Sequence, residues 1–280
     1  MAGNNWMTLL RDNSFKYDKP ITELVIPGTH DSGAYEYAYT PMVRAQNLNI
    51  RGQLDAGVRA LDIRCGATFF SGYNVFHGPI DLGMTVDSVI ADIRSFLDDN
   101  PGEFVILMLK QEVGFTDISN AVNKIVNDGL GNKLWQKDDN RTKWPTTEKC
   151  KGKAIVFSRF TIIDANHYST AGWAGDFASK NLNVGGNLSV EIQDLYNSPS
   201  VVNKKAAILA LHNKGKIDYT GTTLYLNFSS FVWKPYEPLT IGPSQMTPYL
   251  MRLNKGAGVI CVDGADSQLL DQLISLNNFM

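Results

Sequence analysis

The stretch of sequence that decides the fold is LVIPGTHDSG, residues 24–33. It begins as a short apolar strand and ends in a loop that carries His30 beside Asp31. Glycines at positions 28 and 33 allow the backbone to turn tightly around this pair. A strand that stops on chemically active side chains is typical of a parallel barrel, in which catalysis takes place at the carboxyl ends of the strands.

The same pattern, an apolar run that stops at a polar or charged side chain, recurs seven more times. These runs end at Asp62 with Arg64, His77, Lys110, Ser158 with Arg159, Asp194, Ser229 with Ser230, and Asp263. In a closed parallel barrel the carboxyl ends of all strands converge on one face. The pattern therefore predicts two histidines, several carboxylates and three cations around one cleft.

Helix-like segments separate the predicted strands. They cover residues 85–100, 117–128, 199–212 and 267–276, and the first two show apolar residues at the 3.6-residue spacing of a helix. Strands that alternate with helices indicate βα units and a parallel sheet. Two polar or irregular segments, 133–153 and 160–188, suggest that the barrel is incomplete or distorted. No linker divides the chain, so we expect residues 1–280 to form one α/β domain with a TIM-like barrel.

Composition excludes several classes of protein. The chain has 280 residues, of which 44% are hydrophobic and 19% charged, as in an ordinary soluble globular protein. A net charge of -2 gives no reason to expect a nucleic-acid partner. No apolar run approaches the ~20 residues that a membrane span needs. The N-terminus lacks the basic start and apolar core of a signal peptide, which predicts a cytoplasmic protein or one whose signal was removed.

The three cysteines, Cys65, Cys150 and Cys261, are far apart and odd in number. Their spacing argues against a structural zinc site and against a disulfide framework. We expect three reduced cysteines in or near the core.

His30 and His77 are the candidate proton-transfer groups. Imidazole titrates near neutral pH, so two histidines at different strand ends can serve as general base and general acid. The alternative is that each is an ordinary loop histidine with its hydrogen bonds satisfied. Because both follow apolar runs and both lie close to glycine, we favour the catalytic interpretation.

Three cations suit an anionic or polyhydroxylated ligand. A cation at the mouth of an apolar strand needs a carboxylate partner or an anionic ligand, which applies to Lys110 and Arg159. Together with Arg64 they suit a phosphate or a ring of hydroxyls. The carboxylates could accept from ring hydroxyls or could be solvated strand caps. Either histidine could bind a metal, but the sequence lacks the dense carboxylate set that Ca²⁺ or Mg²⁺ prefers, so no metal or cofactor is expected.

A loop near the C-terminal third carries three large aromatic residues, Phe231, Trp233 and Tyr236. Such residues can fold back onto the core. They can also anchor a protein at a membrane surface, because Trp and Tyr favour the lipid headgroup region.

Taken together, the motifs resemble those of the bacterial phosphatidylinositol-specific phospholipases C. The resemblance is closest at residues 26–33 and continues, in family order, through residues 61–64, 76–79, 109–112, 159, 193–196, 224–228 and 262–263. It therefore covers nearly the whole chain. It implies a distorted, incompletely closed TIM-like barrel. It also implies a two-step reaction in which the inositol 2-hydroxyl attacks phosphorus and expels diacylglycerol, and water then opens the cyclic phosphate.

The resemblance also implies catalytic roles. His30 is similar to the general base, held by Asp263, and His77 to the general acid, assisted by Asp31. Arg64 resembles the residue that balances charge on the phosphoryl oxygens.

Further roles follow from the same resemblance. Asp62 would position Arg64. Lys110, Arg159 and Asp194 look like ligands of the inositol hydroxyls, with Tyr196 against the ring.

The resemblance bears on cofactors and partners as well. Eukaryotic-type relatives bind Ca²⁺ through carboxylates near the second strand, where this chain has Arg64, so a metal-independent enzyme is implied. Family analogy further implies secretion, transient binding to a membrane surface, a monomer, and phosphatidylinositol as substrate, with glycosylated inositol anchors as a further possibility.

Two other functions stay open at this point. One is a metal-dependent TIM-barrel phosphodiesterase of the glycerophosphodiester or sphingomyelinase D kind, which a chelator would inactivate. The other is an inactive inositol-lipid binding module. Retention of both histidines argues against the second, because a binding module needs neither a base nor an acid.

Overall fold

The computed structural model describes residues 3–13, 18–35, 43–68, 72–137, 142–197, 200–230 and 241–277. The strands are β1 (Val25–Thr29), β2 (Ala60–Ala67), β3 (Tyr73–His77), β4 (Ile80–Thr85), β5 (Phe104–Gln111), β6 (Lys153–Ser158), β7 (Tyr168–Ser169), β8 (Phe177–Gly185), β9 (Leu188–Asp194), β10 (Thr223–Phe228) and β11 (Gly258–Val262). The helices are α1 (Trp6–Asn13), α2 (Ile50–Asp55), α3 (Val86–Asp99), α4 (Ser119–Leu130), α5 (Val201–Ile217), α6 (Ile241–Leu250) and α7 (Ser267–Ser275).

Nine strands form a nearly closed barrel in the order β7-β6-β5-β2-β1-β11-β10-β9-β8. Every neighbouring pair from β7 to β9 is parallel, and β8 adds an antiparallel edge. In the described part of the chain no strand pairing joins β7 to β8, so the barrel has one open seam. The prediction of an incompletely closed, TIM-like α/β barrel is confirmed.

Alternating side chains of the strands fill two separate cores. In β5, Phe104, Ile106 and Met108 belong to a cluster that fills the barrel interior. The intervening Val105, Leu107 and Leu109 pack in a second cluster, which includes apolar residues of α3, α4 and α7. Both faces of the strand are thus buried, which explains why parallel strands appear in the sequence as continuous apolar runs.

A buried ion pair fixes the amino-terminal end of the barrel. Arg59 and Glu103 precede β2 and β5, both are fully buried, and Arg59 Nη2 lies 2.9 Å from Glu103 Oε2. The same carboxylate accepts from the backbone amides of Met7 and Thr8 at the start of α1, at 3.2 and 2.8 Å. The pair therefore ties two strands to the N-terminal helix, opposite the face where the strands end.

The four predicted helices are present, with ends that differ by a few residues. Two strand predictions needed correction, and three strands were missed. Asp62 and Arg64 do not end a strand but lie inside β2, which continues as far as Ala67 because it pairs with a hairpin. His77 ends β3, which runs antiparallel to β2, so it does not come from a parallel βα unit. Strands β4, β7 and β8 were not predicted, since their residues are mostly polar or half-exposed.

The remaining expectations about the chain concern its cysteines and its hydropathy. Cys65, Cys150 and Cys261 are free and buried, as predicted. Within the described ranges no helix is both long and apolar enough to span a membrane.

Candidate active site

A cleft of about 490 Å³ opens at the carboxyl ends of the barrel strands. Its lining consists of His30, Asp31, Arg64, His77, Gly78, Lys110, Glu112, Arg159, Gly175, Asp194, Tyr196 and Ser230. All the predicted polar site residues are therefore in the cleft except two. Asp62 and Asp263 are buried and contact the lining residues from below.

His30 follows β1 and is held by the neighbouring strand. Its Nδ1 lies 2.8 Å from Oδ1 of Asp263, the residue after β11. Its backbone amide donates to the Val262 carbonyl at 3.1 Å. The backbone of the next residue, Asp31, adopts a φ of +43°, a left-handed conformation that is uncommon for residues other than glycine. This turn directs both side chains toward the cleft.

Arg64 is surrounded by acceptors. Its Nε lies 2.8 Å from Asp31 Oδ1, and its Nη2 lies 3.3 Å from Asp62 Oδ2 and 2.7 Å from His30 Nε2. Burial disfavours the charged guanidinium, yet the carboxylates of Asp31, Asp62 and Glu112 outweigh it and raise the pKa of Arg64. Burial would raise the pKa of Asp62, but Arg64 and His30 hold it below its usual value. The guanidinium is thus fixed and permanently charged.

Two carboxylates control the proton on His30. Burial lowers the pKa of this imidazole, but the charges of Asp31 and Asp263 outweigh burial and raise the pKa to about 9. The contact with Arg64 Nη2, which donates, requires a lone pair on His30 Nε2. This contact therefore fits the neutral form with its proton on Nδ1, which predominates only above about pH 9; at lower pH the ring is cationic and the contact with Arg64 has to lengthen. The neutral form leaves Nε2 able to accept a proton.

His77 also contacts the Asp31 carboxylate. Its Nδ1 lies 2.6 Å from the Val43 carbonyl, to which it can only donate. Its Nε2 lies 3.5 Å from Asp31 Oδ2, and His30 Nε2 lies 3.4 Å from the same oxygen. The Nε2 atoms of the two imidazoles thus lie near one carboxylate oxygen, an arrangement suited to taking a proton from one group and giving a proton to another.

The far wall of the cleft is rich in charged groups. Lys110 Nζ lies 2.5 Å from Glu112 Oε2, which supplies the carboxylate partner that the sequence pattern required. Arg159 stacks on the Trp173 ring at 4.4 Å and donates to its carbonyl at 2.7 Å. The Trp173 indole donates to Asp194 at 2.9 Å. A wall of alternating donors and acceptors suits a ligand with several hydroxyl groups.

Three further residues contribute to the site and were not assigned by sequence reasoning. Glu112 holds both Lys110 and Arg64; burial would raise its pKa, but these cations hold it below its usual value. Trp173 orders the arginine and the aspartate of the far wall. Ser230 lies in the cleft, and its buried hydroxyl has no hydrogen-bond partner among the described residues. The sequence contained a pattern that could have identified Glu112, which follows Lys110 closely, and Ser230, which follows an apolar run. No such sequence pattern identifies Trp173, which lies in an irregular segment.

A metal ion fits this site poorly. Ligand atoms of His30, Asp31 and Asp62 lie within 4.8 Å of one another, a spacing that could hold a cation. The guanidinium of Arg64 already contacts all three, at 2.7 to 3.3 Å. A cation among them would have to displace a positive charge that salt-bridges the same carboxylates.

The predicted membrane-contact residues, Phe231, Trp233 and Tyr236, lie outside the described residues. Tyr196 lines the cleft and its side chain is exposed to solvent; its contact with the inositol ring stays a prediction.

Comparison with known proteins identifies the family. The family model of the phosphatidylinositol-specific phospholipase C X domain matches residues 17–160. The 1-phosphatidylinositol phosphodiesterase of Listeria monocytogenes is 26% identical, over 98% of this chain and 85% of its own length. That of Staphylococcus aureus strain Newman is 27% identical, over 81% of this chain and 74% of its own length. The chain belongs to the phosphatidylinositol-specific phospholipase C X-domain family.

Solved structures show the same fold. A phosphatidylinositol-specific phospholipase C from Staphylococcus aureus, from work on its membrane binding, superposes with a TM-score of 0.84 at 23% identity, covering 99% of this chain and 98% of its own. The enzyme from Listeria monocytogenes superposes with a TM-score of 0.77 at 24% identity, covering 99% of both chains.

Proposed function

We propose that this protein is a phosphatidylinositol-specific phospholipase C, which cleaves phosphatidylinositol into diacylglycerol and inositol 1,2-cyclic phosphate. Family membership supports the reaction and the substrate. The observation that carries the proposal is that His30 and His77 both contact Asp31, whose carboxylate also forms an ion pair with Arg64. We assign the whole chain, residues 1–280, to one catalytic domain.

In the first step the substrate supplies its own nucleophile. His30 Nε2 takes the proton of the inositol 2-hydroxyl, and the freed oxygen forms a bond to phosphorus. The bond between phosphorus and the glycerol oxygen breaks, and His77 Nε2 gives its proton to that leaving oxygen. Arg64 exchanges its contact with His30 for one with a phosphoryl oxygen, where negative charge grows. Because the nucleophile is already held beside phosphorus, proton transfer and charge stabilisation are all that the protein has to supply.

The second step reverses the roles of the histidines. His77 takes a proton from water, the water oxygen bonds to phosphorus, and the bond to the inositol 2-oxygen breaks. His30 returns its proton to that oxygen. Lys110, Arg159 and Asp194 hold the ring hydroxyls in both steps.

The proposed function is tested by incubating the protein with phosphatidylinositol vesicles, with and without EDTA, and recording ³¹P spectra. The expected result is a five-membered cyclic phosphate that forms equally fast in both samples, because Arg64 takes the place of a metal. Loss of activity with EDTA, restored by Ca²⁺ or Mg²⁺, would instead identify a metal-dependent phosphodiesterase. Vesicle binding without any cleavage would identify an inactive binding module.

Substitution of Arg64 by lysine should be far from conservative. An ammonium is a point charge, and it cannot contact Asp31, Asp62 and a phosphoryl oxygen at once as a planar guanidinium can. We expect kcat on inositol 1,2-cyclic phosphate to fall by about 10²–10³, the range found when one charge-stabilising donor is removed from an active site. Steady-state kinetics of Arg64→Lys beside Arg44→Lys, a change at an exposed arginine, provide the comparison. Equal activity of the two variants would contradict the role given to Arg64.

The pKa of His30 sets the acidic limb of the pH profile. As a base His30 acts only when it is neutral, so kcat/KM should rise with pH until about 9, where the imidazole has lost its proton. Replacing Asp263 by asparagine removes a negative charge that raises this pKa. The acidic limb of the kcat/KM profile of Asp263→Asn should therefore move to lower pH. The maximal kcat/KM should also be lower, because the imidazole is held less firmly. NMR titration of His30 in both proteins measures the shift directly. An unmoved titration would show that Asp263 does not control this proton.

We further propose that the enzyme is a secreted monomer that binds membranes transiently through Phe231, Trp233 and Tyr236. The scissile phosphate lies at the lipid–water interface, so the face with the cleft has to reach the bilayer. The low net charge implies that apolar insertion contributes more than attraction to anionic lipid.

Trp233→Ala should separate membrane binding from chemistry. We expect weaker binding to phosphatidylinositol vesicles and slower turnover on them, with hydrolysis of soluble inositol 1,2-cyclic phosphate nearly unchanged. Vesicle sedimentation and the two assays measure this. Equal losses on both substrates would place Trp233 in the core or the active site.

A further inference from the structure

Lys204, in the first turn of α5, is a buried cation behind the cleft that the proposed reaction does not use. Its side chain is 0% exposed. In the described part of the chain its ammonium has one hydrogen-bond acceptor, Gln193 Oε1, at 3.1 Å. A buried charge with a single neutral acceptor is costly, and an apolar side chain would fill the same space at lower cost. Burial lowers the pKa of Lys204 to about 8, although Asp194 and Asp263 oppose the shift.

The acceptor of this lysine is the centre of a saturated hydrogen-bond network. Gln193 is fully buried, and its Oε1 also accepts from the backbone amide of Leu195 at 2.8 Å. Its Nε2 donates to the Phe228 carbonyl at 2.8 Å and to Asn227 Oδ1 at 3.2 Å. The amide group therefore has one orientation only, and it joins the end of β9 to the end of β10.

Both strand ends lead directly to the site. Leu195 separates Asp194 from Tyr196, and both of these line the cleft. Phe228 packs edge-to-face against the His30 ring, with 6.2 Å between centroids, and against Trp173 at 5.1 Å. A shift of the Gln193 amide would thus move the segment that carries two ligand-binding side chains.

We propose that Lys204 is a positioning residue for the far wall of the cleft, acting through Gln193 on the segment that carries Asp194 and Tyr196. This inference rests on the proposed function, because it concerns the same inositol-binding wall. The ammonium donates to the same Gln193 Oε1 that accepts from the Leu195 amide, and it attracts the nearby carboxylates of Asp194, Asp263 and Asp176. It thereby holds the β9 end in the conformation that receives the ring.

The test is the Lys204→Met variant, assayed on soluble inositol 1,2-cyclic phosphate so that membrane binding does not enter. Methionine has a similar length and leaves no empty space, while it removes the charge and the donor. We expect KM to rise about tenfold, equivalent to about 1.4 kcal/mol of binding, with kcat within about twofold of wild type. This split is the signature of lost binding that is equal in ground and transition states. Lys216→Met, at an exposed lysine of the same helix, is the matched control and should leave both constants unchanged.

Each outcome decides the matter. A Lys204→Met variant that behaves like Lys216→Met overturns the inference, and so does one that loses kcat with KM unchanged. If Lys204→Met does not fold, Lys204→Leu takes its place under the same criterion, since it also removes the charge and the donor to Gln193. A wild-type protein that turns over neither phosphatidylinositol nor the cyclic phosphate refutes the proposed function itself, which separates the two failures.

Discussion

Alanine at either His30 or His77 should reduce kcat by about 10²–10⁴, the range of a single general acid–base contribution. His30→Ala removes the acceptor for the 2-hydroxyl proton, and His77→Ala removes the donor to the leaving oxygen. Because the two act in one proton-transfer unit, the double variant should lose far less than the product of the two single losses. Rates of phosphatidylinositol cleavage at saturating substrate measure all three variants.

Controls for this prediction come from the other histidines and from the fold. His212 lies on α5 and donates to the Asn254 carbonyl at 2.9 Å, so His212→Gln keeps a donor and should keep full activity. Circular dichroism and thermal melting should show that the alanine variants remain folded. Near-normal turnover by folded His30→Ala would refute the mechanism.

Glu103→Ala should be the most destabilising of the substitutions considered. It leaves the guanidinium of Arg59 fully buried without its carboxylate partner, and it removes the acceptor for the first amides of α1. Breaking a buried ion pair in this way typically costs about 3–5 kcal/mol. Urea denaturation followed by circular dichroism measures the free energy of unfolding.

An exposed ion pair provides the comparison for this loss. Lys124 and Asp128 form an ion pair on α4 with side chains 76% and 66% exposed. Asp128→Ala should cost less than about 1 kcal/mol, because solvent screens such pairs. Equal free-energy losses in Glu103→Ala and Asp128→Ala would show that the buried pair does not hold α1 to the barrel.

Much of the barrel was predictable because burial on both faces marks a parallel strand as an apolar run. Runs such as 104–109 and 258–262 appear in the structure as β5 and β11 with small changes at their ends. The polar β8 shows only weak alternation of buried and exposed residues, and it is held by antiparallel pairing with the next strand, β9, so its own residues carry little apolar signal. The run that ends at His77 was predicted, but its hairpin partner β4 was missed because the residues of β4 are half-exposed or exposed.

The site residues that lie near the end of a strand were predictable from the sequence. His30, Lys110, Arg159 and Asp263 all follow that rule, and the structure gathers them at one face. The residue pattern alone did not show which carboxylate pairs with which cation, because such contacts depend on strand order; the pairs of Asp62 with Arg64 and of Asp263 with His30 came from the family resemblance, and the pair of Glu112 with Lys110 was not assigned. Trp173 shows the limit most clearly, since it reaches the site from an irregular segment whose position is set by tertiary packing.

The open seam between β7 and β8 has a consequence for how this barrel moves. A sealed barrel can open only by breaking the pairing between two strands, whereas among the described residues of this chain no pairing joins β7 to β8. Amides of the outer strand β8 should therefore exchange with solvent deuterium much sooner than those of β1 and β11 at the centre of the sheet. Trp173 lies between β7 and β8 in sequence. Local opening at the seam would thus first displace the wall of the cleft that Trp173 supports, and would displace His30 last.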